Sequence, residues 1–374
     1  MKQESRKLDV LYKGKTVGTL AMGAYYKIAF QYDDWWLKHG FSISPFSLPL
    51  KKEVFEPKKH YFDGLFGVFA DSLPDQWGQL LLERFLKESG LDPSRLTVLD
   101  RLAIVGSSGM GALEYVPEKK INYEQSNIDL DSLSSQCKKI LNKEYSEQLD
   151  ALYRLGGTSG GARPKIMTTI DEEEWIIKFS SHVDRKDAGK MEQDYALCAK
   201  KCGIVMSETK LFPSKVCKGY FGIKRFDRNQ KEKIHMISAS ALLEHDFRQP
   251  SLDYHDLMKL TKILTKDNQI DIENLFRRMC FNVFAHNCDD HSKNFSYLYN
   301  EGSRQWSLSP AYDLTYSTTY YGEHTTMVNG NGKNPQKKDL VEVGLKAGMK
   351  KERCLSIIDE IKQIVDLSLS EYLK

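Results

Sequence analysis

The chain has 374 residues, 41% hydrophobic and 28% charged, with 54 Lys and Arg, 51 Asp and Glu and a net charge of +3. That length favours two or three structural units, the composition excludes a disordered or fibrous chain, and near-neutrality nominates no nucleic-acid partner by bulk electrostatics. No apolar run approaches the roughly eighteen residues of a membrane span, no apolar segment follows the charged N-terminus, and seven cysteines without a C-x-x-C pair suggest reduced thiols in a cytoplasmic protein.

In chain order, residues 8–20 read as a β-hairpin turning at Lys13-Gly14-Lys15. The alternation over 26–32 predicts a further strand of the same sheet. Two prolines keep 44–50 extended. The segment Asp71-Ser-Leu-Pro-Asp-Gln-Trp77 starts a helix running to about 86, Asp92-Pro93 precedes a second near 97–103, and 112–117 forms a short closing strand. The polar stretch 118–135 reads as a linker, and one helix is predicted over 133–152.

Leu155-Gly-Gly-Thr-Ser-Gly-Gly-Ala-Arg-Pro-Lys165 follows. Its glycines make a loop whose backbone amides can approach a phosphate closely. It is not a Walker A loop, because Ala162-Arg163 follow Gly161 where that motif requires Gly-Lys-Ser/Thr; taken alone, it is equally a flexible turn. Residues 165–170 and 175–179 form a predicted hairpin whose second strand carries Lys178 among apolar residues, either an edge charge or a phosphate ligand. Glu192 opens a helix predicted over 191–201 and is a candidate partner for Lys178, as strand lysine and helix glutamate pair in kinases. A further strand near 221–226 ends in Asp227-Arg228.

From about 234 the periodicity turns helical, over 238–245, 257–265 and 272–284. The last of these delivers the densest polar stretch of the chain, His286-Asn-Cys-Asp-Asp-His-Ser-Lys-Asn294, between apolar flanks. Buried groups of these kinds must each find a partner. Asp289 and Asn294 have the spacing of base and metal-binding amide in the kinase loop D-x-x-x-x-N. Asp290 stands one residue too close, which selects Asp289 as the candidate catalytic carboxylate. Asp313, beyond the strand-like 304–308, is placed to supply a second magnesium ligand. The bland alternative is a surface turn with helix-capping Asp and Asn. A zinc site built from His286, Cys288, Asp289 and His291 is disfavoured, because the histidines lack the i, i+4 spacing of one helical face. Two closing helices are predicted over 339–347 and 351–372.

Together and in order, these segments resemble the HipA family of toxin kinases from bacterial toxin–antitoxin modules. The residues that carry the resemblance are Leu8-Asp-Val-Leu-Tyr-Lys-Gly-Lys-Thr-Val-Gly18, Phe62-Asp-Gly-Leu-Phe66, Asp71-Ser-Leu-Pro-Asp-Gln-Trp-Gly78, Gly109-Met-Gly-Ala-Leu-Glu-Tyr115, Gly160-Gly-Ala-Arg-Pro-Lys165, Ile177-Lys178, Arg225-Phe-Asp-Arg228, Asp290-His-Ser-Lys-Asn-Phe295 and Pro310-Ala-Tyr-Asp-Leu314. The resemblance implies ATP and Mg²⁺ as cofactors. It places Gly160, Gly161 and Ala162 in the nucleotide loop, Lys178 on the α/β-phosphates with Glu192 orienting it, and Arg225 and Phe226 in the adenine hinge. Asp289 becomes the catalytic base, His291 contacts phosphate or positions the loop, and Asn294 and Asp313 hold magnesium. Family members also autophosphorylate a serine of the Gly-rich loop, which ejects the loop and disables ATP binding. Here Thr158 occupies that serine's position with Ser159 beside it, so Thr158 is the first candidate, Ser159 the second, and neither the third. The implied partners are a small helix-turn-helix antitoxin (HipB-like), through which operator DNA is mainly contacted, and a protein substrate such as an aminoacyl-tRNA synthetase, with no membrane involved.

The pattern of elements is α+β, strands mostly early and helices mostly late. With the resemblance it becomes a two-lobed, protein-kinase-like fold. Residues 1–117 form a mixed α/β N-terminal subdomain, 118–233 a small lobe with the Gly-rich loop, and 234–374 a helical large lobe with the catalytic loop and metal Asp. Two other readings stand beside it. A small-molecule phosphotransferase shares the D-x-x-x-x-N spacing but lacks this N-terminal block. An inactive, kinase-like corepressor binding a DNA-binding antitoxin is opposed by the intact set Lys178, Asp289, Asn294 and Asp313.

Overall fold

The computed structural model describes residues 6–59, 61–119, 129–181, 184–185, 187–230, 232–249, 251–319 and 321–373. Strands β1 (Lys7–Tyr12) and β2 (Lys15–Met22) form the predicted hairpin, with Gly14 turning it at φ +73°. β3 (Ile28–Tyr32) adds to β2, β4 (Val54–Phe55) to β3 and β5 (Leu113–Val116) to β1, giving the antiparallel order β4-β3-β2-β1-β5. The alternation legible in the sequence puts Leu8, Val10, Leu20 and Phe30 wholly inside, each stabilising the fold by about 1.5–3 kcal/mol. Gly18 must be glycine, since a side chain there would run into the Gln31 carbonyl and the Phe30 ring.

Helix α1 (Gln76–Glu88) begins within the Asp71–Trp77 segment, and α2 (Val98–Val105) begins at Thr97, which forms a capping box with Asp100. The helix predicted over 133–152 is instead two, α3 (Leu130–Leu141) and α4 (Leu149–Gly156). Asn142 ends the first, and Lys143 follows in the left-handed region at φ +63°, a conformation no helix continues through. Of the linker predicted over 118–135, residues 120–128 lie outside the described residues.

Strands β6 (Lys165–Ile170) and β7 (Glu173–Lys178) pair antiparallel with Lys165 opposite Lys178, and β8 (Tyr220–Lys224) pairs with the other edge of β7. One apolar cluster joins Trp77 and Leu81 of α1, Leu152 of α4, Ile166 of β6 and Ile177 of β7. The chain therefore compacts along lines other than the three-part division at 117 and 233. One unit comprises residues 1–186, 212–237 and 241–245; the other comprises 187–211, 238–240 and 246–374. Helix α5 (Ala188–Lys201), which carries Glu192, falls in the second.

That second unit is built around α7 (Gln269–Phe284), which packs against α6 (Tyr254–Leu264), α8 (Lys337–Lys346) and α9 (Lys351–Ser368). Ile272, Leu275, Phe276, Met279, Cys280 and Phe281 are all fully buried, so α7 is covered on nearly every side. β9 (Ser296–Asn300) and β10 (Gln305–Leu308) form a hairpin with Tyr297 opposite Leu308. The helix predicted over 238–245 shrinks to the single turn Ala239–Leu242, and the last helix stops at Ser368 rather than 372. Among the described residues no helix is long and apolar enough to cross a membrane, and the cysteines are free thiols.

Candidate active site

In the first unit the Gly-rich loop joins α4 to β6. Lys165, only 6% exposed, donates from Nζ to the Gly160 carbonyl at 2.5 Å. Gly161 sits at φ +84°, and its N–H donates to Asp75 Oδ2 at 2.8 Å. Ala162 is exposed. Thr158 Oγ1 donates to the Ser108 carbonyl at 3.1 Å, and Ser159 Oγ donates to the Gly156 carbonyl at 2.6 Å. Ser159 is buried while Thr158 is half-buried, so Thr158 is the more accessible hydroxyl. Lys178, at the end of β7, lies with Nζ 5.7 Å from the centre of the Phe221 ring, within cation–π range. The sequence reading singled out Lys178 and passed over Lys165, although the hairpin register sets the two lysines directly across from each other.

Arg225 and Phe226 follow β8. The buried Arg225 guanidinium makes a bidentate pair with Asp227, Nε to Oδ1 at 2.9 Å and Nη2 to Oδ2 at 2.8 Å. Arg228 Nη1 and the Gly111 N–H also donate to Asp227 Oδ2, at 2.8 and 2.7 Å. Burial by itself would raise the Asp227 carboxyl; Arg225, Arg228 and the Gly111 N–H override it and hold the group at about 2. The Arg225 side chain is thus committed to a structural ion cluster. This narrows the hinge role implied for it: any adenine contact here falls to the main chain or to the half-buried Phe226.

In the second unit, α7 delivers the polar loop as predicted, and the structure separates its two carboxylates. Asp290 is 1% exposed. Its Oδ2 accepts from the Tyr254 hydroxyl at 2.8 Å and lies 3.1 Å from His324 Nδ1, while Oδ1 accepts from the Thr326 N–H at 3.1 Å. Burial first, and then the Asp290 carboxylate, push the Tyr254 phenol well above its ordinary range, so the phenol is the donor. Asn282 Nδ2 donates to that phenol oxygen at 2.9 Å and Asn287 Nδ2 to Asn282 Oδ1 at 2.9 Å, which continues the network back into α7. Asp289, by contrast, keeps its side chain 57% exposed, with Oδ1 3.8 Å from His291 Nε2. The His291 ring packs on Phe247 at 5.2 Å, and its Nδ1 has no hydrogen-bond partner among the described residues. Asn294 Nδ2 donates to the Asp289 carbonyl at 2.8 Å, which turns the amide so that Oδ1 is the atom left for a cation.

Asp313 belongs to the same unit and holds φ +53°. The residue before it, Tyr312, donates its hydroxyl to the Lys293 carbonyl at 2.6 Å and accepts from Ser296 Oγ at 2.6 Å, tying the Asp313 segment to the residue preceding Asn294. The fully buried Arg278 of α7 donates to the Ser309 carbonyl from below. Burial brings its guanidinium down to about 10, and Tyr312 and Tyr297 oppose the fall. Glu192 is buried on α5, and Tyr195, one turn on, donates its hydroxyl to the Ala285 carbonyl at the end of α7 at 2.8 Å. Lys178 and Glu192 fall in different units.

An amide oxygen and one carboxylate are a donor set for a hard, oxygen-seeking ion that takes its other ligands from water and phosphate, which fits magnesium. Zinc finds no such fit. Among the described residues no three His, Cys, Asp or Glu side chains gather as a metal site. Burial, with Asp290 and Asp289 nearby, pushes the Cys288 thiol up to about 11. Sequence reasoning missed Asp75, Lys165 and the structural part of Asp290. The only local signal for the first was an Asp-Gln-Trp helix start.

Comparison with known proteins agrees with this layout. A family model described as the HipA N-terminal domain matches residues 8–116, and one described as the HipA-like C-terminal domain matches 157–367. Y4mE of Sinorhizobium fredii, whose name proposes a kinase, is 25% identical over 349 residues, covering 84% of this chain and 78% of its own. Y4dM of the same organism, named in the same way, is 28% identical over 170 residues, 41% of this chain and 40% of its own. A chain from the Shewanella oneidensis MR-1 complex of HipA, HipB and operator DNA superposes with a TM-score of 0.72 at 16% identity, over 97% of this chain and 90% of that one. At that identity the likeness speaks for the fold, an α+β, kinase-like one.

Proposed function

The chain belongs to the HipA family, and on that premise we propose that it is an ATP- and magnesium-dependent serine/threonine-protein kinase, the toxin of a toxin–antitoxin pair. The observation that supports this most is the division of labour between Asp289 and Asp290. The buried Asp290 is consumed by Tyr254, His324 and Thr326, which leaves Asp289 exposed and available to a substrate hydroxyl.

In this reading Asp289 accepts the proton of the attacking hydroxyl, and His291 contacts phosphate or holds the loop. Asn294 and Asp313 hold the metal, whose charge would offset that of the γ-phosphoryl oxygens. Lys178 binds the α/β-phosphates with Glu192 orienting it, and the main chain of Gly160, Gly161 and Ala162 lines the phosphates. Arg225 and Phe226 border the adenine. Such a reaction asks little covalent chemistry of the protein, mainly positioning and charge neutralisation.

Autophosphorylation of Thr158, or second of Ser159, would place about −1.5 to −2 charges where the nucleotide's phosphates bind, and so switch the enzyme off. The partner would be a small helix-turn-helix antitoxin, through which operator DNA is contacted. The target would be a translation factor such as an aminoacyl-tRNA synthetase.

The test is intact mass and peptide mapping after incubation with Mg·ATP, beside an Asp289→Ala control. Phosphate on Thr158 or Ser159 in the wild type alone is the expected result. Absence of any Mg·ATP binding would overturn the kinase reading in favour of an inactive corepressor.

A further inference from the structure

The start of α1 is built in an unusual way. Asp75 stands at the N-cap with extended backbone, φ −82° and ψ −164°, yet its side chain accepts no hydrogen bond from its own helix. An N-cap aspartate normally accepts from the second or third N–H of its helix and stabilises it. Here the carboxylate is turned away, and Oδ2 takes the N–H of Gly161 in the Gly-rich loop at 2.8 Å.

The loop returns the bond. The Gly161 carbonyl accepts from the Trp77 N–H at 3.3 Å, doing for α1 what its own cap does not, and the Asp75 N–H approaches the Ser159 carbonyl at 3.4 Å. One further bond joins α1 to the end of the loop, Trp77 Nε1 to the Lys165 carbonyl at 3.1 Å, and Thr158 Oγ1 ties the loop separately to the Ser108 carbonyl, beyond α2, at 3.1 Å. The approach is close enough that a side chain at Gly78 would stand 2.8 Å from the Gly157 carbonyl. Gly161 favours glycine because its φ of +84° lies in the left-handed region.

We propose that Asp75 is a positioning residue of the nucleotide loop, so that residues of the N-terminal HipA domain complete the ATP site of the C-terminal one. The proposal rests on the kinase reading above. Its physical basis is preorganisation. A loop of four glycines loses more conformational entropy on ordering than any other composition. Asp75 and the first turn of α1 order it before nucleotide arrives, which leaves the loop's remaining amides in place for phosphate.

The decisive variant is Asp75→Ser. Serine is as good an N-cap as aspartate, so α1 keeps or improves its stability, while its hydroxyl is too short to reach Gly161. Asp75→Asn retains an acceptor at the right distance and serves as the conservative rescue. Two readouts are taken on the full chain: Mg·ATP affinity by calorimetry, and amide hydrogen exchange of peptides spanning 157–163 without nucleotide. Asp75→Ser is expected to weaken Mg·ATP binding about tenfold or more and to speed exchange in the loop, with an unchanged Tm; Asp75→Asn stays near wild type in both. Wild-type affinity and wild-type exchange in Asp75→Ser would overturn the role of Asp75 and leave the kinase reading standing. A wild-type protein that binds no Mg·ATP would overturn both.

Discussion

The neighbouring aspartates of the polar loop give the sharpest test of the site. Asp290→Ala removes a carboxylate that receives the Tyr254 O–H, the Thr326 N–H and the His324 ring, all inside the protein. Each buried donor left without an acceptor costs about 1–3 kcal/mol, so the two certain donors alone set the loss at roughly 2–6 kcal/mol, and His324 adds to it. Asp289→Ala removes a side chain that is 57% exposed and lies 3.8 Å from His291 Nε2; such substitutions usually fall within about 0.5 kcal/mol. Activity runs the other way. Loss of a general base costs about 10²–10⁴ in rate, so Asp289→Ala should be folded and inactive. Urea denaturation of both variants, with phosphotransfer measured on whatever remains folded, reads the two effects apart. An Asp290→Ala protein as stable as wild type, or an Asp289→Ala protein that keeps its activity, would refute the assignment.

Three further outcomes follow from the same geometry. Asp227→Ala leaves the buried Arg225 and Arg228 without their shared carboxylate, and should cost about 3–5 kcal/mol in urea denaturation. Because the Asp227 carboxyl is held at about 2 in the folded chain, against about 3.9 when unfolded, its contribution is complete above pH 4 and fades as pH falls towards 2. Asp227→Asn should therefore flatten the acid limb of the stability curve, and an unchanged limb would count against the ion cluster. Thr158→Glu should bind Mg·ATP far more weakly than wild type by calorimetry, through repulsion at the phosphate loop; normal binding would remove that site from the regulatory reading. Asp313→Ala should raise the magnesium concentration needed for half-maximal phosphotransfer, and an unshifted titration would exclude Asp313 as a ligand.

What the sequence made legible was mostly local. Alternation marked β1 to β3, and the five-residue interval between Asp289 and Asn294 was a local constraint that survives folding intact: the amide folds back onto the Asp289 carbonyl within the one loop. The pairing of Arg225 with Asp227 is likewise local, made within the turn that follows β8. Longer relations were not legible. Asp75 meets Gly161 across 86 positions and Tyr254 meets Asp290 across 36, and no periodicity encodes such pairings. The break between α3 and α4 covers residues 142–148, a polar stretch in which only Tyr145 is aromatic and Lys143 takes the left-handed region, yet it contains no Gly or Pro to mark a helix end.

The Gly-rich loop and the polar loop after α7 are also stabilised by different means, and this bears on how each will respond to change. The loop carrying Asp289 and Asp290 is pinned by buried, mutually satisfied polar groups running from α7 through Asn282, Tyr254 and Asp290 to Thr326. Removing any one of these leaves its partners buried and unpaired, so the penalty should appear as lost stability before it appears as altered kinetics. The Gly-rich loop is held by separate bonds, the Gly161 N–H to the half-buried Asp75 carboxylate, the Trp77 N–H to the Gly161 carbonyl, and the loop's own Thr158 hydroxyl to the Ser108 carbonyl. Those can be exchanged for water at small cost to folding. A loop secured in that manner can be rearranged without unfolding its surroundings, so Asp75 and Thr158 substitutions should alter the loop before they alter Tm.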